Sequence, residues 1–592
     1  MAFLHTDGIP ADLFKDAEWV HVSTLARHSL VLDIEGGGLS MHALTQEVVR
    51  DLLMGSSKAT ALGGVLAALK DKMAEFDHDK PATYFVGRQF ARHVRAAAPH
   101  MQPGGLGQDR ETQPDAANVC LQAGLFFERV ACSFSEALVL FRKGLEIHIK
   151  LHGEDHPEVA MANNNIANVY RTQGKYVDAL GLFKKICDTK IKLHGLVNED
   201  VAGTYTNMAN VYASQGNFEE AEKMYQQGLE IMVKVHGPEH PDVATSHYNL
   251  ANVYLRQSKN KEAMELYKKS LASKLKSHKA DHPDVADTYT GMANVYKAQG
   301  EYEKALELFK KGIDINVKVY GEDHPGVAVS YLGMASVLQG QGRHEEALPL
   351  FKKCRDISIK MHGEEHSDVA TACMGMGNVY KEQGKYEDAL GLYKTGLAIN
   401  IKVHGEEHPD VAMAYNNQAN VYQSQGKNEL AQEEYLKCLD IVIKVHGPEH
   451  PLVGTVYFNT ANLYAAQGMF DEALELYTQR LAIWIKVFGP YHPGVASTYH
   501  NMANVCQSQG KHEEAQELCK KILGVETELH GPDHLAVART YGRMATLCVL
   551  QAKIDEARDL FQKSLNINIK VYGPEHPAVT EMLSVLEKFA SF

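Results

Sequence analysis

Apolar residues along most of this chain fall into pairs of helix-length runs that recur on a fixed period. One period, from His152 to Leu193, reads HGEDHPEVAMANNNIANVYRTQGKYVDALGLFKKICDTKIKL. Val159, Ile166, Ala167 and Tyr170 keep the spacing of one helix face, Gln173-Gly174 interrupts it, and Tyr176, Ala179, Leu180, Phe183 and Ile186 open a second helix. Gly153 follows an apolar-periodic run ending near Lys150 and suits a helix stop in the left-handed region. Pro157 stands where a first helical residue needs no N–H, and Glu158 follows near the positive helix end. Ala167 and Ala179 are small enough for close helix approach, while Tyr170 and Phe183 fill the space around them. The pattern predicts a helical hairpin with apolar surface on both sides.

The hairpin repeats. His152-Gly153 returns as His194-Gly195, His236-Gly237, His362-Gly363, His404-Gly405, His446-Gly447 and His530-Gly531, with Tyr320, Phe488 and Tyr572 in other slots. From 152 to 572 lie ten periods of 42 residues without an insertion. A second marker, His156-Pro157, recurs at 240, 282, 324, 408, 450, 492 and 576. Each unit can bury both faces only by stacking on its neighbours. The expected organisation is a degenerate leading unit over 111–151, ten repeats over 152–571, and a capping helix within 572–592. These residues (a small residue, a Tyr three on, then Gly, an aromatic, Ala-Leu and Phe183) resemble the tetratricopeptide repeat. The 42-residue period and the HGxxHPxVA junction resemble the kinesin light chain and nephrocystin type. The resemblance implies an all-α fold, a right-handed superhelical solenoid of helical hairpins.

Two asparagines recur on the first helix of most units. One set is Asn168, Asn210, Asn252, Asn294, Asn378, Asn420, Asn462 and Asn504; the other, three residues earlier, is Asn165, Asn207, Asn249, Asn417, Asn459 and Asn501. Their spacing puts both on one helix face, and Asn is a mediocre interior helix former, so propensity does not explain them. The resemblance implies that residues at these places line an inner groove and hydrogen-bond an extended peptide; an amide offers both donor and acceptor for this. The alternative is that they bond neighbouring helices and fix the angle between repeats. In the middle of the array the earlier slot becomes Gly291, Gly333 and Gly375. That change reads either as a widened groove or as drift between repeats. Arg171, Arg256, Lys297 and Lys381 are expected to face the groove, which points to acidic ligands, or else to form a solvated edge.

The segment before the repeats differs. Ser29–Ile34 and Leu39–His42 read as two strands around Gly36-Gly37-Gly38, followed by an amphipathic helix over Ala43–Leu53. FLHTDGIPADLF, LARHSLV and LSMHALTQEVVRDLL resemble the winged-helix end of NB-ARC (STAND-class) nucleotide-binding switch proteins. The expected domains are a winged-helix-like α+β segment over 1–57 and a helical connector and linker over 58–110. No GxxxxGK[ST] occurs, so the phosphate-cradling loop of that family is missing. Either the ATPase is lost or it belongs to a longer protein.

Composition narrows the function classes. A net charge of −14 argues against nucleic acid and anionic lipid as partners. No run approaches 18 apolar residues, so no membrane span is expected. Nine cysteines without a CxxC pair read as free thiols in a reducing compartment, and a cytoplasmic location is expected. The repeated H-x3-H pairs suggest metal at first sight, but no carboxylate or Cys completes a fixed ligand set, and packing and capping at the helix junction is the stronger reading. HGEEH lacks the Glu placement of a zinc protease, and no nucleophile elbow appears. The expectation is therefore no enzyme, no metal and no cofactor. The chain reads as a scaffold binding extended peptide segments of protein partners, as the sensor arm of an NB-ARC-type protein or, alternatively, as a kinesin light chain-like adaptor between motor and cargo.

Overall fold

A computed structural model describes residues 113–277 and 280–590, three short strands before them, and residues 70, 73–77, 83–84, 87, 91, 94–95 and 98. From Gln113 to Ala590 the described residues form twenty-three helices. A leading pair, Gln113–Arg129 and Phe134–His152, precedes pairs that alternate a 16-residue first helix with a second helix of 18 or 19 residues, as in Pro157–Thr172 and Tyr176–His194.

The ten first helices from Pro157–Thr172 to Leu535–Leu550 each start on a side-chain cap. The Nδ1 of His156 accepts the Glu158 N–H, and His240, His282, His324, His366, His408, His450, His492 and His534 repeat the bond in their own units. Asn198 does the same where the histidine is missing. The cap satisfies one of the N–H groups that a helix start leaves without an intrahelical partner. Gly153 ends the preceding helix with φ +83° and ψ 173°. That conformation is outside the left-handed helical region expected from sequence, and it is accessible essentially to glycine alone.

Small residues and rings make the core as the sequence pattern implies. Ala167, Ala179 and Phe183 are fully buried, and Tyr267, Tyr393, Tyr435, Tyr477, Phe309 and Phe351 fill the same place in other units. First helices of successive repeats approach one another more closely than second helices do, so the first helices line the concave side.

The superhelix winds far enough to touch itself. Residues about five and a half repeats apart meet: the Nε2–H of His408 donates to the Thr172 carbonyl at 2.8 Å, His492 Nε2 lies 3.0 Å from Ser258 Oγ, and His366 Nε2 lies 3.1 Å from Cys132 Sγ. Rings pack across the same seam, with Phe134 on His404 and Tyr176 on His446, both at 5.3 Å between centroids. The turn inside a repeat on one superhelical turn thus meets the junction between repeats on the next.

Near the N-terminus β1 (Ile9–Pro10), β2 (Leu32–Ile34) and β3 (Gly38–Ser40) pair antiparallel in the order β1-β3-β2, with Asp33 opposite Leu39. The helix expected over 43–53 and the linker from 101 fall outside the described residues apart from Gln113 and Pro114. The winged-helix reading of this segment is not supported. All nine cysteines are free and buried.

Candidate functional site

The later asparagine set is tied to the repeat that carries it. The Tyr267 hydroxyl donates to Asn252 Oδ1 at 2.5 Å, and Tyr393 and Tyr435 donate to Asn378 and Asn420 at 2.6 Å each; Tyr225 bonds Asn210 and Tyr477 bonds Asn462 in the same way. Burial pushes the Tyr225 phenol up to about 12, so it stays a donor. Asn168 and Asn294 face Phe183 and Phe309 at the same offset, where no hydroxyl exists. Asn504 instead accepts from Arg543 at 2.6 Å.

The earlier set links neighbouring first helices. Asn207 Nδ2 donates to Asn164 Oδ1 at 2.9 Å, Asn459 to Asn416 at 2.8 Å, and Asn501 to Asn462 at 2.8 Å. Asn417 reaches only the Met374 sulfur at 4.0 Å, while Asn165 and Asn249 are half-buried. Most members of both sets therefore make a bond within the scaffold. An amide with one bond made retains further donors and acceptors, so this does not remove it from the concave face as a contact.

Gly291, Gly333 and Gly375 do not widen the groove. A Cβ on them would stand 2.5, 2.3 and 2.3 Å from the rings of Tyr267, Phe309 and Phe351. Each glycine seats an aromatic ring of the preceding repeat, so the space that a side chain vacates is filled at once. Lys297 is also committed: its Nζ bonds Ser336 Oγ at 2.7 Å on the next first helix, and desolvation lowers its pKa. Lys381 is half-buried. Arg171 and Arg256 line a cavity of about 530 Å³ that belongs to the seam, together with Tyr176, Phe218, His408 and His450.

A larger cavity, about 700 Å³, opens across the first three repeats. Asn164, Asn207 and Asn249 supply amides; Met161, Leu193 and Met232 supply apolar surface, the first two exposed. Glu158, Glu199, Asp200 and Asp242 surround them against a single cation, Lys190. Pattern reading put Asn207 and Asn249 on this face but missed Asn164 and the acidic rim. The rim was legible in principle: acidic residues recur in the first turn of these helices, beside the positive helix end.

The junction histidines form a second cluster. His404 stacks on His408 at 4.0 Å, His446 on His450 at 3.9 Å, and His362 on His366 at 4.1 Å. Asp242, Asp368 and Asp410 approach within 4.8 Å of the histidine nitrogens beside them, so a carboxylate does complete a three-ligand group, contrary to the sequence reading. The ring geometry opposes coordination. Lone pairs lie in the ring planes, and two nearly parallel stacked rings cannot aim theirs at one ion. Tyr320 and Tyr572 stack on His324 and His576 at 3.9 and 4.3 Å in the same slot, with no nitrogen to offer. The first histidine is an aromatic platform and the second is a cap. Desolvation, aided by neighbouring cationic groups, holds His404 and His450 at about 3; desolvation holds His366 at about 4.

Comparison with known proteins bears on the same repeats. A tetratricopeptide repeat profile matches residues 121–192, 200–276, 284–360, 327–402, 368–433, 410–486, 468–523 and 494–570. No curated protein matches the chain. Among solved structures, the nearly identical TPR-like repeats of a Podosopora anserina kinesin light chain are 25% identical, covering 35% of this chain and 97% of that one, with a TM-score of 0.29. BtubC from P. vanneervenii is 18% identical over 39% of this chain and 92% of its own, with a TM-score of 0.33. A Rap protein complexed with competence and sporulation factor is 14% identical over 63% and 99%, with a TM-score of 0.43. Among the described residues no helix is long and apolar enough to cross a membrane.

Proposed function

The chain belongs to the tetratricopeptide repeat family, and from that premise we propose that it is a protein-interaction scaffold holding an extended peptide segment against its first helices. The fold is typically a non-enzymatic scaffold. One observation carries the reading: the concave cavity of about 700 Å³ that joins three repeats and combines amides, exposed Met161 and Leu193, and an acidic rim. Amides suit a peptide backbone, the apolar floor suits aliphatic or aromatic side chains, and the rim suits Lys or Arg. The ligand class is thus basic and apolar, the reverse of the acidic ligand that Arg171 and Arg256 suggested.

Two refinements differ in what lies upstream: the sensor arm of an NB-ARC-type switch requires a phosphate-binding loop there, and a motor–cargo adaptor requires heptads. Panning the full chain against a random peptide library tests the core reading. Selected peptides are expected to be basic and apolar, to lose at least about tenfold in affinity in Met161→Asp with Asn249→Ala, and to bind more weakly in salt. Selected peptides that bind the double variant as tightly as the parent refute the site.

A further inference from the structure

The interturn seam joins two edges of the superhelix, and each edge continues beyond the stretch where it meets the other. One edge is made of the turns inside repeats; between 132 and 258 these lie under the junctions of 366 to 492. The other edge is made of the junctions themselves. Where the edges meet, Tyr176 and Phe218 are only 7% and 5% exposed, and Val403 and Val445 are half-buried.

Elsewhere the same positions are less buried. On the junction edge of the earlier superhelical turn Val235 is 39% and Val319 45% exposed. On the turn edge of the later one, Tyr386 and Phe470 are half-buried, where Tyr176 and Phe218 are buried. Lys385, Lys427, Lys511 and Lys553 stand exposed along the turn edge beside exposed Glu387, Glu429, Glu513 and Asp555. Glu239, Asp281, Glu322 and Asp323 stand exposed along the junction edge, three of them bridged by a lysine of the next second helix.

From the continuity of these edges with the seam, we propose that a second copy of this chain docks its junction edge onto the turn edge of the first. The contact between molecules repeats the contact within one. Because it uses two different surfaces, it leaves one of each unsatisfied after every addition and builds an open head-to-tail assembly. None of the residues substituted below lines the peptide cavity, although Leu193 and His194 of that cavity belong to the same junction edge, so peptide binding by the variants separates the two readings.

Sedimentation velocity on the full chain over a concentration series tests it. The mean mass is expected to climb without a plateau. Val235→Asp with Val319→Asp removes one edge; Lys385→Glu, Lys427→Glu and Lys511→Glu remove the other. All these positions are exposed, and unchanged helicity by circular dichroism checks that the fold survives. Each variant alone is expected to be monomeric, and an equimolar mixture to stop at a dimer, since each supplies the edge that the other lacks. A wild type that stays monomeric, including one whose edge another protein occupies, overturns the proposal. So does a closed dimer, or association that neither set of substitutions changes.

Discussion

His408 serves its own helix and the opposite superhelical turn at once, so its removal should cost more than removal of a histidine that only caps. In His408→Ala three interactions go: the cap on the Asp410 N–H, the ring stack on His404, and the bond to the Thr172 carbonyl. The cap contributes about 1 kcal/mol. Leaving the half-buried Thr172 carbonyl without this partner costs about 1–3 kcal/mol more. His240 caps Asp242 and stacks on His236 with nearly the same geometry but is half-exposed. His240→Ala should therefore cost only the local part. The difference of about 2 kcal/mol corresponds to roughly thirtyfold in the local opening equilibrium. Global melting is the wrong readout, because a repeat array sums nearest-neighbour terms and does not unfold in one step. Hydrogen exchange resolved to peptides is suitable. In His408→Ala, protection should fall both around Asp410 and around Thr172, while His240→Ala changes only its own junction. Equal, purely local losses in the two variants would show that the seam contributes nothing and refute the reasoning.

Acid should open the same seam. The ordinary histidine value is near 6.5, whereas burial holds His366, His446 and His492 at about 4 and His404 and His450 at about 3. Their folded values lie below the unfolded one, so stability is fully present above pH about 6.5 and declines as pH falls toward those values. At pH 5 each buried ring is destabilising by about 2 kcal/mol, less whatever the nearby Asp368 and Asp410 return; seam exchange unchanged between pH 7.5 and 5 would contradict this. Gly333→Asn should lower stability by about 1–3 kcal/mol through collision with Phe309, with partial recovery when Phe309→Leu is added; urea unfolding that leaves the single variant unshifted excludes the packing account. Tyr435→Phe should cost about 1 kcal/mol by releasing Asn420, while leaving the superhelix dimensions in small-angle scattering intact.

Within each repeat, short-range pattern was enough. The 3.6-residue spacing of Val159, Ile166 and Tyr170, the break at Gln173-Gly174 and the proline at 157 fix two helices and their limits, because helix formation and capping depend on residues a few positions apart. The fixed 42-residue register carries that result along the array, since nearest-neighbour stacking repeats one interface. The asparagine ladders were legible as a face, but not their commitments. Whether Asn252 meets a hydroxyl depends on Tyr267 on another helix, and whether a vacant slot at Gly333 opens a groove depends on where the Phe309 ring turns. The seam was beyond pattern reading altogether. Its partners lie 234 to 236 residues apart, and they meet because small rotations between repeats accumulate until one superhelical turn settles on the last. That summed angle, and with it the difference between a capping histidine and a locking one, belongs to the tertiary structure.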